Sequence, residues 1–493
     1  MTQQEHSDLW FNRQFILSPF RLDKLKNWNV TPVGNLWLHS HPNLEVTLAK
    51  NNDRTVLMLG FVFDSAHPEK TNGQILAELA EESFDSMLTN SFQYAGRFII
   101  LYFSHDEWKL FNDAAGLREV FYAFRGEEVW VASQPNLIEN FAELENHADK
   151  ECHEFYNSQQ FLNRKERIGA TTSHSLISHL PPNHLLDLKK QTRNRYFPRA
   201  PIEPISLGEA VDKAAEYLKG FLKAASLRSG LMVAVTGGWD SRMMVAASME
   251  LAGTYYFILK HGHLTEDSLD IRTPRSLFEK LGKKFHIVSY KKELDHEITT
   301  LFENNVPLGN QALYPALYHE FYKKHANKLN VTFVSEAARN YFHYQVTPGN
   351  ITGKTLARLN KFEGFPFVEK QYDDWIRANK KVFEANGYNI LDMFYWEEKM
   401  GNWLANGRSS MANAIEDFSP FNCKNLMTLF LSVDGKYRDR YNPILHRKII
   451  EKLSKDVLAV PINGSLKYRM IKWLVVLKIY PLYKKIQLAL AKN

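Results

Sequence analysis

Short apolar runs separated by polar turns dominate the first 140 residues of the chain. The run over residues 55–64 is rich in β-branched and aromatic side chains. Shorter runs of the same kind follow at 97–103, 108–111, 119–124 and 128–132. One helical pattern, at about 74–88, interrupts the series. This alternation predicts two packed β-sheets flanked by helices.

The pattern changes after a proline-rich stretch at residues 181–201. Apolar positions then alternate between helical and strand periodicity, with helices expected at 207–225, 241–251 and 267–281, and strands at 230–236, 254–259 and 284–290. Strands that alternate with helices predict a parallel, doubly wound sheet. The final part of the chain reads as mostly helical. We therefore predict a domain at residues 1–200 and a second at 201–493.

The turn after the first strand of the second domain carries the clearest chemistry. The buried strand at 230–236 contains Val235 and ends at Thr236, and Gly237-Gly238-Trp239-Asp240-Ser241 leads directly into a helix. Glycines allow close approach of the backbone, and a helix N-terminus presents N–H groups to an anion. The hydroxyls of Thr236 and Ser241 add donors, and Asp240 is a candidate Mg²⁺ ligand. No Gly-Lys-Ser/Thr follows, which excludes a kinase-type P-loop. An ordinary strand-to-helix connection is the alternative.

Composition narrows the class of protein. The chain has 493 residues, 44% of them hydrophobic, which is ample for large cores. Cys152 and Cys423 are the only cysteines, so we expect no disulfide framework or cysteine-rich metal site, and a cytoplasmic setting. The polar first residues predict no signal peptide. We find no recognisable nucleic-acid-binding module.

The positive charge is concentrated at the C-terminus. After Asp456 there is no acidic residue, whereas seven lysines and arginines occur, and the rest of the chain is near neutral. The apolar segment from Trp473 is interrupted by Lys478 and Pro481, so it is too short to span a membrane. The tail is either a terminal helix packed on the core or a basic surface that contacts anionic lipid or a phosphate-rich substrate.

Several further motifs resemble those of asparagine synthetases. The phosphate turn resembles their Ser-Gly-Gly-x-Asp-Ser loop, with Thr236 in place of the first serine. The remaining matches, in chain order, are Gly96-Arg97-Phe98, Asp113-x-x-Gly116-x-Arg118, Leu180-Pro-Pro-Asn-His184, Arg195-Tyr-Phe197 and Met411-Ala-x-x-x-Glu416-x-x-x-Pro420-Phe421. The resemblance implies an N-terminal-nucleophile (Ntn) hydrolase-like β-sandwich of the glutamine amidotransferase type, followed by an ATP pyrophosphatase domain.

The first domain departs from this family at its nucleophile. The family uses a cysteine at position two, where this chain has Thr2. Threonine serves in some N-terminal nucleophile hydrolases. However, residues 3–8 are uniformly polar, and the family's glutamine-binding Arg-Gly-Pro-Asp and Asn-Gly-Glu segments are absent. We therefore expect a degenerate, structural amidotransferase-like domain.

The second domain departs at the family's acidic loop, Ser-Gly-Glu-Gly-Ala-Asp-Glu. The counterpart here is Ser335-Glu336-Ala-Ala-Arg339-Asn340, in which Glu336 is retained but Arg339 and Asn340 stand near the Asp-Glu pair. Arg339 would then bind phosphate directly. The alternatives are that Glu336 alone keeps the metal, that Arg339 is only an ion-pair partner, or that the site is inactive.

By resemblance, the second domain adenylates a carboxylate with ATP and Mg²⁺, and a nitrogen nucleophile then displaces AMP. The resemblance places Val235 and Ser335 in the nucleotide site and Leu259 beside the adenine. It assigns Asp240 and Glu336 to the metal, and catalysis to Glu336 and Lys467. Arg339, at the altered position of the acidic loop, is the third candidate catalytic residue.

The sequence leaves more than one possibility for each substrate. The nitrogen donor is ammonia, another amidotransferase's product, or an amine within the substrate, as in the similar β-lactam synthetases and lasso-peptide cyclases. A small-molecule or sugar carboxylate is preferred over aspartate, because the acidic loop is altered. The alternatives to an amide-forming ligase are a catalytically silent scaffold or regulatory protein, and a tRNA-thiolating ATP pyrophosphatase, which the cysteine positions disfavour.

Overall fold

The computed structural model describes residues 9–51, 53–260, 264–289, 296–309, 327–346 and 351–462, with isolated residues at 318–325 and 470–483. Two antiparallel sheets occupy the first part of the chain, and a parallel sheet lies in the second. Thr2 and Lys467 lie outside the described residues, as do the lysines and arginines of the C-terminal tail.

The first sheet contains six strands in the order β10-β8-β9-β1-β3-β2. The second sheet has the order β12-β11-β7-β6-β5-β4. The strands are β1 (Phe15–Ser18), β2 (Asn29–Val33), β3 (Leu36–Ser40), β4 (Val46–Asn51), β5 (Arg54–Phe63), β6 (Ala95–Phe103), β7 (Trp108–Asn112), β8 (Phe121–Arg125), β9 (Glu128–Ala132), β10 (Ser178–His179), β11 (His184–Asp187) and β12 (Thr192–Arg195).

The two sheets pack face to face through alternating side chains. On β5, Leu57 and Leu59 point toward the first sheet and pack with Phe15 and Leu38. Their neighbours Val56 and Met58 point the other way, into a core shared with helices. This period of two is the reason why β5, although apolar throughout, contributes to two cores.

Helices cover both outer faces of the sandwich. The helices of this part are α1 (Asn72–Ala80), α2 (Phe84–Asn90), α3 (Pro135–Ala142), α4 (Lys150–Tyr156) and α5 (Gln159–Arg164). The single helix expected at 74–88 is wrong in one respect, because it is divided into α1 and α2. Ser83 accepts a hydrogen bond from the backbone N–H of Ser86 and caps a new helix there.

The parallel sheet has the order β15-β14-β13-β16-β17. Its strands are β13 (Gly230–Ala234), β14 (Tyr255–Lys260), β15 (His286–Ser289), β16 (Lys328–Val331) and β17 (Asp417–Phe418). The chain winds outward from β13 through β14 to β15, and then returns to the other side of β13 with β16. The predicted fold class, an α/β protein with a sandwich and a doubly wound sheet, is confirmed.

Within its described residues, the second part of the chain is otherwise mainly helical, as predicted. Its helices are α6 (Leu207–Arg228), α7 (Trp239–Ser248), α8 (Leu269–Lys280), α9 (His296–Asn305), α10 (Gly353–Leu359), α11 (Pro366–Ala385), α12 (Ile390–Phe394), a π-helix (Tyr395–Leu404), α13 (Ala405–Met411), α14 (Lys424–Leu431) and α15 (Ile444–Ser454). Helix α6 packs between the second sheet of the sandwich and the parallel sheet, within one continuous core. The domain boundary near residue 200 stays a prediction.

The motifs that carried the family resemblance meet at the contact between the two parts, called the junction here. The carboxylate of Asp113 accepts the backbone N–H groups of Leu117 and Arg118, which shapes the turn around Gly116 (φ +66°). The Arg118 side chain then contacts Glu416 at 3.1 Å. Arg97 reaches the same carboxylate at 2.9 Å. These residues therefore hold the sandwich against the parallel-sheet part.

A second group of motif residues surrounds a buried lysine at the same junction. Lys424 Nζ donates to Asn183 Oδ1 at 2.6 Å. Four aromatic rings lie 4.7–5.4 Å from this nitrogen, namely those of Phe92, Tyr196, Phe197 and Trp396. Tyr196 and Phe197 of one motif thus form an aromatic cage around Lys424 together with Phe92 and Trp396, and Asn183 of another motif accepts its hydrogen bond.

Candidate nucleotide-binding site

The turn predicted to bind phosphate lies at the switch point of the parallel sheet. Strand β13 is flanked by β14 on one side and β16 on the other, so the connections leave it in opposite directions. In such sheets a crevice opens at the carboxyl ends of the two central strands, and ligands bind there. The turn at 236–241 follows β13, and the loop at 335–339 follows β16. The fold therefore brings the two predicted segments together.

Hydroxyl groups organise the turn itself. The backbone N–H of Thr236 donates to Ser241 Oγ at 3.0 Å, and the two hydroxyl oxygens lie 3.2 Å apart. The N–H of Gly238 donates to Thr236 Oγ1 at 3.3 Å. Gly238 is the N-cap of α7, and no side chain caps this helix end. The first turn of α7 thus presents its N–H groups and the positive end of its dipole at the crevice.

A carboxylate that the sequence analysis missed contacts the turn. Asp270, in the first turn of α8, accepts the N–H of Gly237 through Oδ1 at 3.1 Å. A Cβ atom at Gly237 would lie 3.1 Å from this oxygen, so a larger residue would crowd the contact. The Asp270 carboxylate therefore binds one of the N–H groups that a phosphate oxygen would use.

Asp240 is held in place by a chain of hydrogen bonds. Its Oδ1 accepts the hydroxyl of Ser335 at 2.6 Å, and Ser335 Oγ lies 2.8 Å from His446 Nε2. Burial, together with the charges of Arg339 and Arg438, lowers the pKa of His446 well below its ordinary value, so the ring is neutral. Because the serine proton points to the carboxylate, His446 donates from Nε2 to the serine oxygen. This arrangement fixes the orientation of Asp240.

Arg339 lies between the two carboxylates that were predicted to bind a metal ion. Its Nη2 is 3.2 Å from Asp240 Oδ2 and 2.9 Å from Glu336 Oε1. The exposed fractions of the three side chains are 11%, 15% and 23% for Arg339, Asp240 and Glu336. Burial, and next the charge of Asp240, raises the pKa of Glu336. The arginine therefore compensates negative charge that would otherwise be costly here.

These residues, as arranged, do not fit a metal ion ligated by the protein. Mg²⁺ takes oxygen ligands at about 2.0–2.1 Å in octahedral geometry. Here a guanidinium nitrogen lies at hydrogen-bonding distance from both candidate carboxylates. Within the described part of the chain, no three histidine, cysteine or acidic side chains gather as a metal site would require. The assignment of Mg²⁺ to Asp240 and Glu336 stays a prediction from resemblance, and no chemical step is derived from it.

The structure also positions the other residues predicted for the nucleotide. Val235 is buried, and its N–H donates to the carbonyl of Phe257 on β14. Leu259 is half-buried near the carboxyl end of β14, where it pairs with Val288. Val235 therefore shapes the strand before the turn, and Leu259 lies on the neighbouring strand. Their contact with a nucleotide stays a prediction.

His446 and Asp270 were not identified from the sequence. His446 is one polar residue on the buried face of α15 and resembles an ordinary core histidine. Asp270 is one of several acidic residues at the start of α8. Only the position of α8 directly after β14 hinted that a first-turn carboxylate would lie at the crevice.

Comparisons with known proteins give no family for this chain. Neither the protein-family models nor the curated protein sequences contain a match. Among solved structures, glutamine phosphoribosylpyrophosphate (PRPP) amidotransferase from B. subtilis, complexed with ADP and GMP, is similar at 9% identity and a TM-score of 0.24. That match spans 58% of this chain and 61% of the other, less than two thirds of its length.

A structure described as the allosteric regulatory enzyme of purine biosynthesis is similar at 12% identity and a TM-score of 0.26, over 62% of this chain and 74% of that one. Both TM-scores lie below 0.5, so neither likeness carries an argument. The similarity to asparagine synthetases therefore rests on the sequence motifs alone.

Among the described residues, none of the helices is both long enough and apolar enough to cross a membrane.

Proposed function

We propose that the protein is an ATP-dependent amide-forming ligase, which adenylates a carboxylate and transfers the acyl group to a nitrogen nucleophile. One observation carries the proposal: the Thr236–Ser241 turn and the Ser335–Arg339 loop meet at the switch point of a doubly wound sheet. Hydroxyls, an open helix N-terminus and an arginine converge there, which is a suitable environment for a triphosphate.

The proposed roles follow from the positions of these groups. The N–H groups at the start of α7 and the hydroxyls of Thr236 and Ser241 would donate to phosphate oxygens. Arg339 would offset the charge that develops on the leaving pyrophosphate. Asp240 would act as a positioning residue, because it orients both Ser335 and Arg339.

In the reaction, a carboxylate oxygen attacks the α-phosphorus of ATP, and the bond to the bridging oxygen of pyrophosphate breaks. The acyl-adenylate then reacts with an amine or ammonia, which expels AMP and releases one proton. Mg²⁺, when present, would supply charge compensation for the nucleotide. Glu336 is a candidate acceptor for the proton, since a raised pKa makes its carboxylate a stronger base.

ATP–pyrophosphate exchange tests this proposal. Purified protein is incubated with ATP, labelled pyrophosphate and a panel of small-molecule and sugar carboxylates, including aspartate and uronic acids. We expect exchange with at least one carboxylate. Asp240→Asn should reduce it by roughly 10- to 100-fold, because one charge-assisted contact contributes about 1.5–3 kcal/mol.

Asp374→Asn is the matched control, since Asp374 is a surface carboxylate on α11, with 46% of its side chain exposed, that pairs with Arg377. Its exchange rate should equal that of the wild type. Equal rates for Asp240→Asn and the wild type would place the nucleotide elsewhere.

A silent scaffold or regulatory binding protein is the second candidate. It is favoured by the contacts of Arg339 with both carboxylates and of Asp270 with the turn, because such contacts also stabilise a site without turnover. Calorimetric binding of ATP without exchange for any carboxylate in the panel would select this function.

A further inference from the structure

We propose that Arg339 is the resident cation of the nucleotide site, in the place between Asp240 and Glu336 that a protein-ligated divalent metal ion would need. Mg²⁺ would then enter the site only in complex with ATP, and no carboxylate of this chain would be in its coordination sphere. The inference deepens the proposed function and rests on it for the identity of the ligand.

The contact distances describe a hydrogen-bonded cation. One nitrogen, Nη2, lies 2.9 Å from Glu336 and 3.2 Å from Asp240. Both values lie within the range of charge-assisted N–H···O bonds, and both exceed the distance at which Mg²⁺ binds oxygen by about 1 Å. A metal ion that ligated both carboxylates would have to displace the guanidinium.

The local backbone keeps the arginine in this place. Residues Glu336–Ala338 form a single 3₁₀ turn, and the N–H of Arg339 donates to the carbonyl of Glu336 at 3.1 Å. This turn brings the side chains of Glu336 and Arg339, three residues apart, to the same side. The turn therefore builds the ion pair locally, before any ligand is considered.

Asp240 is fixed from the opposite side of the crevice. Ser335, the residue before the turn, donates to Asp240 Oδ1 from its hydroxyl, while Arg339 contacts Oδ2. His446 supports the serine, as described above. Both oxygens of Asp240 are thus bound by the loop that carries Arg339. The carboxylate is arranged around the guanidinium, as an arginine site would require.

Removal of the arginine should therefore create a metal site. Arg339→Ala leaves two carboxylates facing each other without a cation, and oxygen ligands of this kind bind Mn²⁺ and Mg²⁺. Arg339→Lys keeps a cation between the same carboxylates and is the matched control. Arg339→Gln serves as a second uncharged variant if the alanine variant does not fold.

Mn²⁺ binding without nucleotide is measured by the electron paramagnetic resonance signal of the free ion. We expect the wild type and Arg339→Lys to bind Mn²⁺ at least tenfold more weakly than Arg339→Ala or Arg339→Gln. The gained site should disappear when Glu336→Gln is added to the uncharged variant. Mn²⁺ should also raise the melting temperature of the uncharged variants only.

Tight Mn²⁺ binding by the wild type that is lost in Asp240→Asn would overturn the inference, and so would equal binding by the wild type and both uncharged variants. ATP binding is titrated separately by calorimetry. Absence of ATP binding with and without Mg²⁺ would refute the proposed function, whereas the Mn²⁺ result would still stand.

Discussion

Glu397 at the junction provides the strongest test of how the two parts of the chain are held together. This glutamate lies in the π-helix, and only 1% of its side chain is exposed. Arg195 of the sandwich binds it in a bidentate manner, with N···O distances of 2.6 and 2.8 Å. Asn183 and Trp375 donate to the same carboxylate at 2.9 and 3.0 Å. Four donors therefore converge on two oxygens.

The substitution Glu397→Gln keeps the shape of the side chain but places an NH₂ group among these donors. Whichever way the amide turns, two of the four hydrogen bonds are lost, and the charge of Arg195 is left without its partner. Breaking one member of a buried ion pair costs about 3–5 kcal/mol. For a chain of 493 residues that unfolds as one unit, the unfolding entropy of about 2.1 cal/mol/K per residue corresponds to about 1 °C per kcal/mol, which predicts a melting temperature lower by about 3–5 °C.

The assay is thermal unfolding followed by calorimetry at pH 7. Glu384→Gln is the matched control, because Glu384 is an exposed glutamate that pairs with Lys380 on α11, and it should shift the melting temperature by less than about 2 °C. The double variant Arg195→Met/Glu397→Met removes both charges. It should be more stable than the two single substitutions predict together, because no buried charge is left unpaired.

The pH dependence of stability provides a second test of the Arg195–Glu397 contact. Burial opposes ionisation of Glu397, but the charge of Arg195 and its hydrogen bonds outweigh this and lower the pKa below the ordinary 4.5. The stabilisation is therefore present above pH 4.5 and is lost as the pH falls further. The difference in melting temperature between the wild type and Glu397→Gln should become smaller as the pH falls from 5 toward 3. A shift below 2 °C at pH 7, or strict additivity in the double variant, would refute the reasoning.

Three further predictions concern other groups. Burial lowers the pKa of Lys424 to about 7, so between pH 7 and 10.5 the unfolded chain binds a proton that the folded chain does not. The stability of the wild type relative to Lys424→Met, followed by urea unfolding, should therefore rise from pH 7 to 9.5; a flat or falling difference would contradict this. Asp270→Ala removes a carboxylate from the Gly237 N–H and should raise ATP affinity severalfold by calorimetry, whereas a loss would indicate that Asp270 supports the ligand. Incubation with glutamine and ATP should release no glutamate above background. Glutamate release that is abolished by Thr2→Ala would show that the protein is a glutaminase.

The elements with a regular hydrophobic pattern could be predicted from the sequence. Strands β5 and β6 are long and apolar, and the turn after β13 carries two glycines between a strand and a helix, so local physics identifies them. Strands β2 and β4 are short, and most of their residues are partly or fully exposed, without a regular alternation of buried and exposed positions. Their pairing depends on neighbours, and periodicity does not identify it.

The candidate site was predicted in its residues but not in its contacts. The sequence placed Asp240, Glu336 and Arg339 in one site through resemblance. It gave no distance between them, because Asp240 and Arg339 are 99 positions apart in the chain. The role of His446 depends on a helix that returns to the sheet after a further hundred residues. Contacts between such distant positions depend on the order of the strands in the sheet, and this order cannot be read from a single sequence.

The junction also bears on how such a chain could change over generations. Arg97, Arg118 and Arg195 reach out of the sandwich to neutralise Glu416 and Glu397, which lie in the other part. A lineage that deleted the first 200 residues would lose these three arginines and would also expose the apolar side chains that now share a core with the sandwich. The first part of the chain is therefore needed for solubility and folding whatever it catalyses, and residues 201–493 made alone should aggregate.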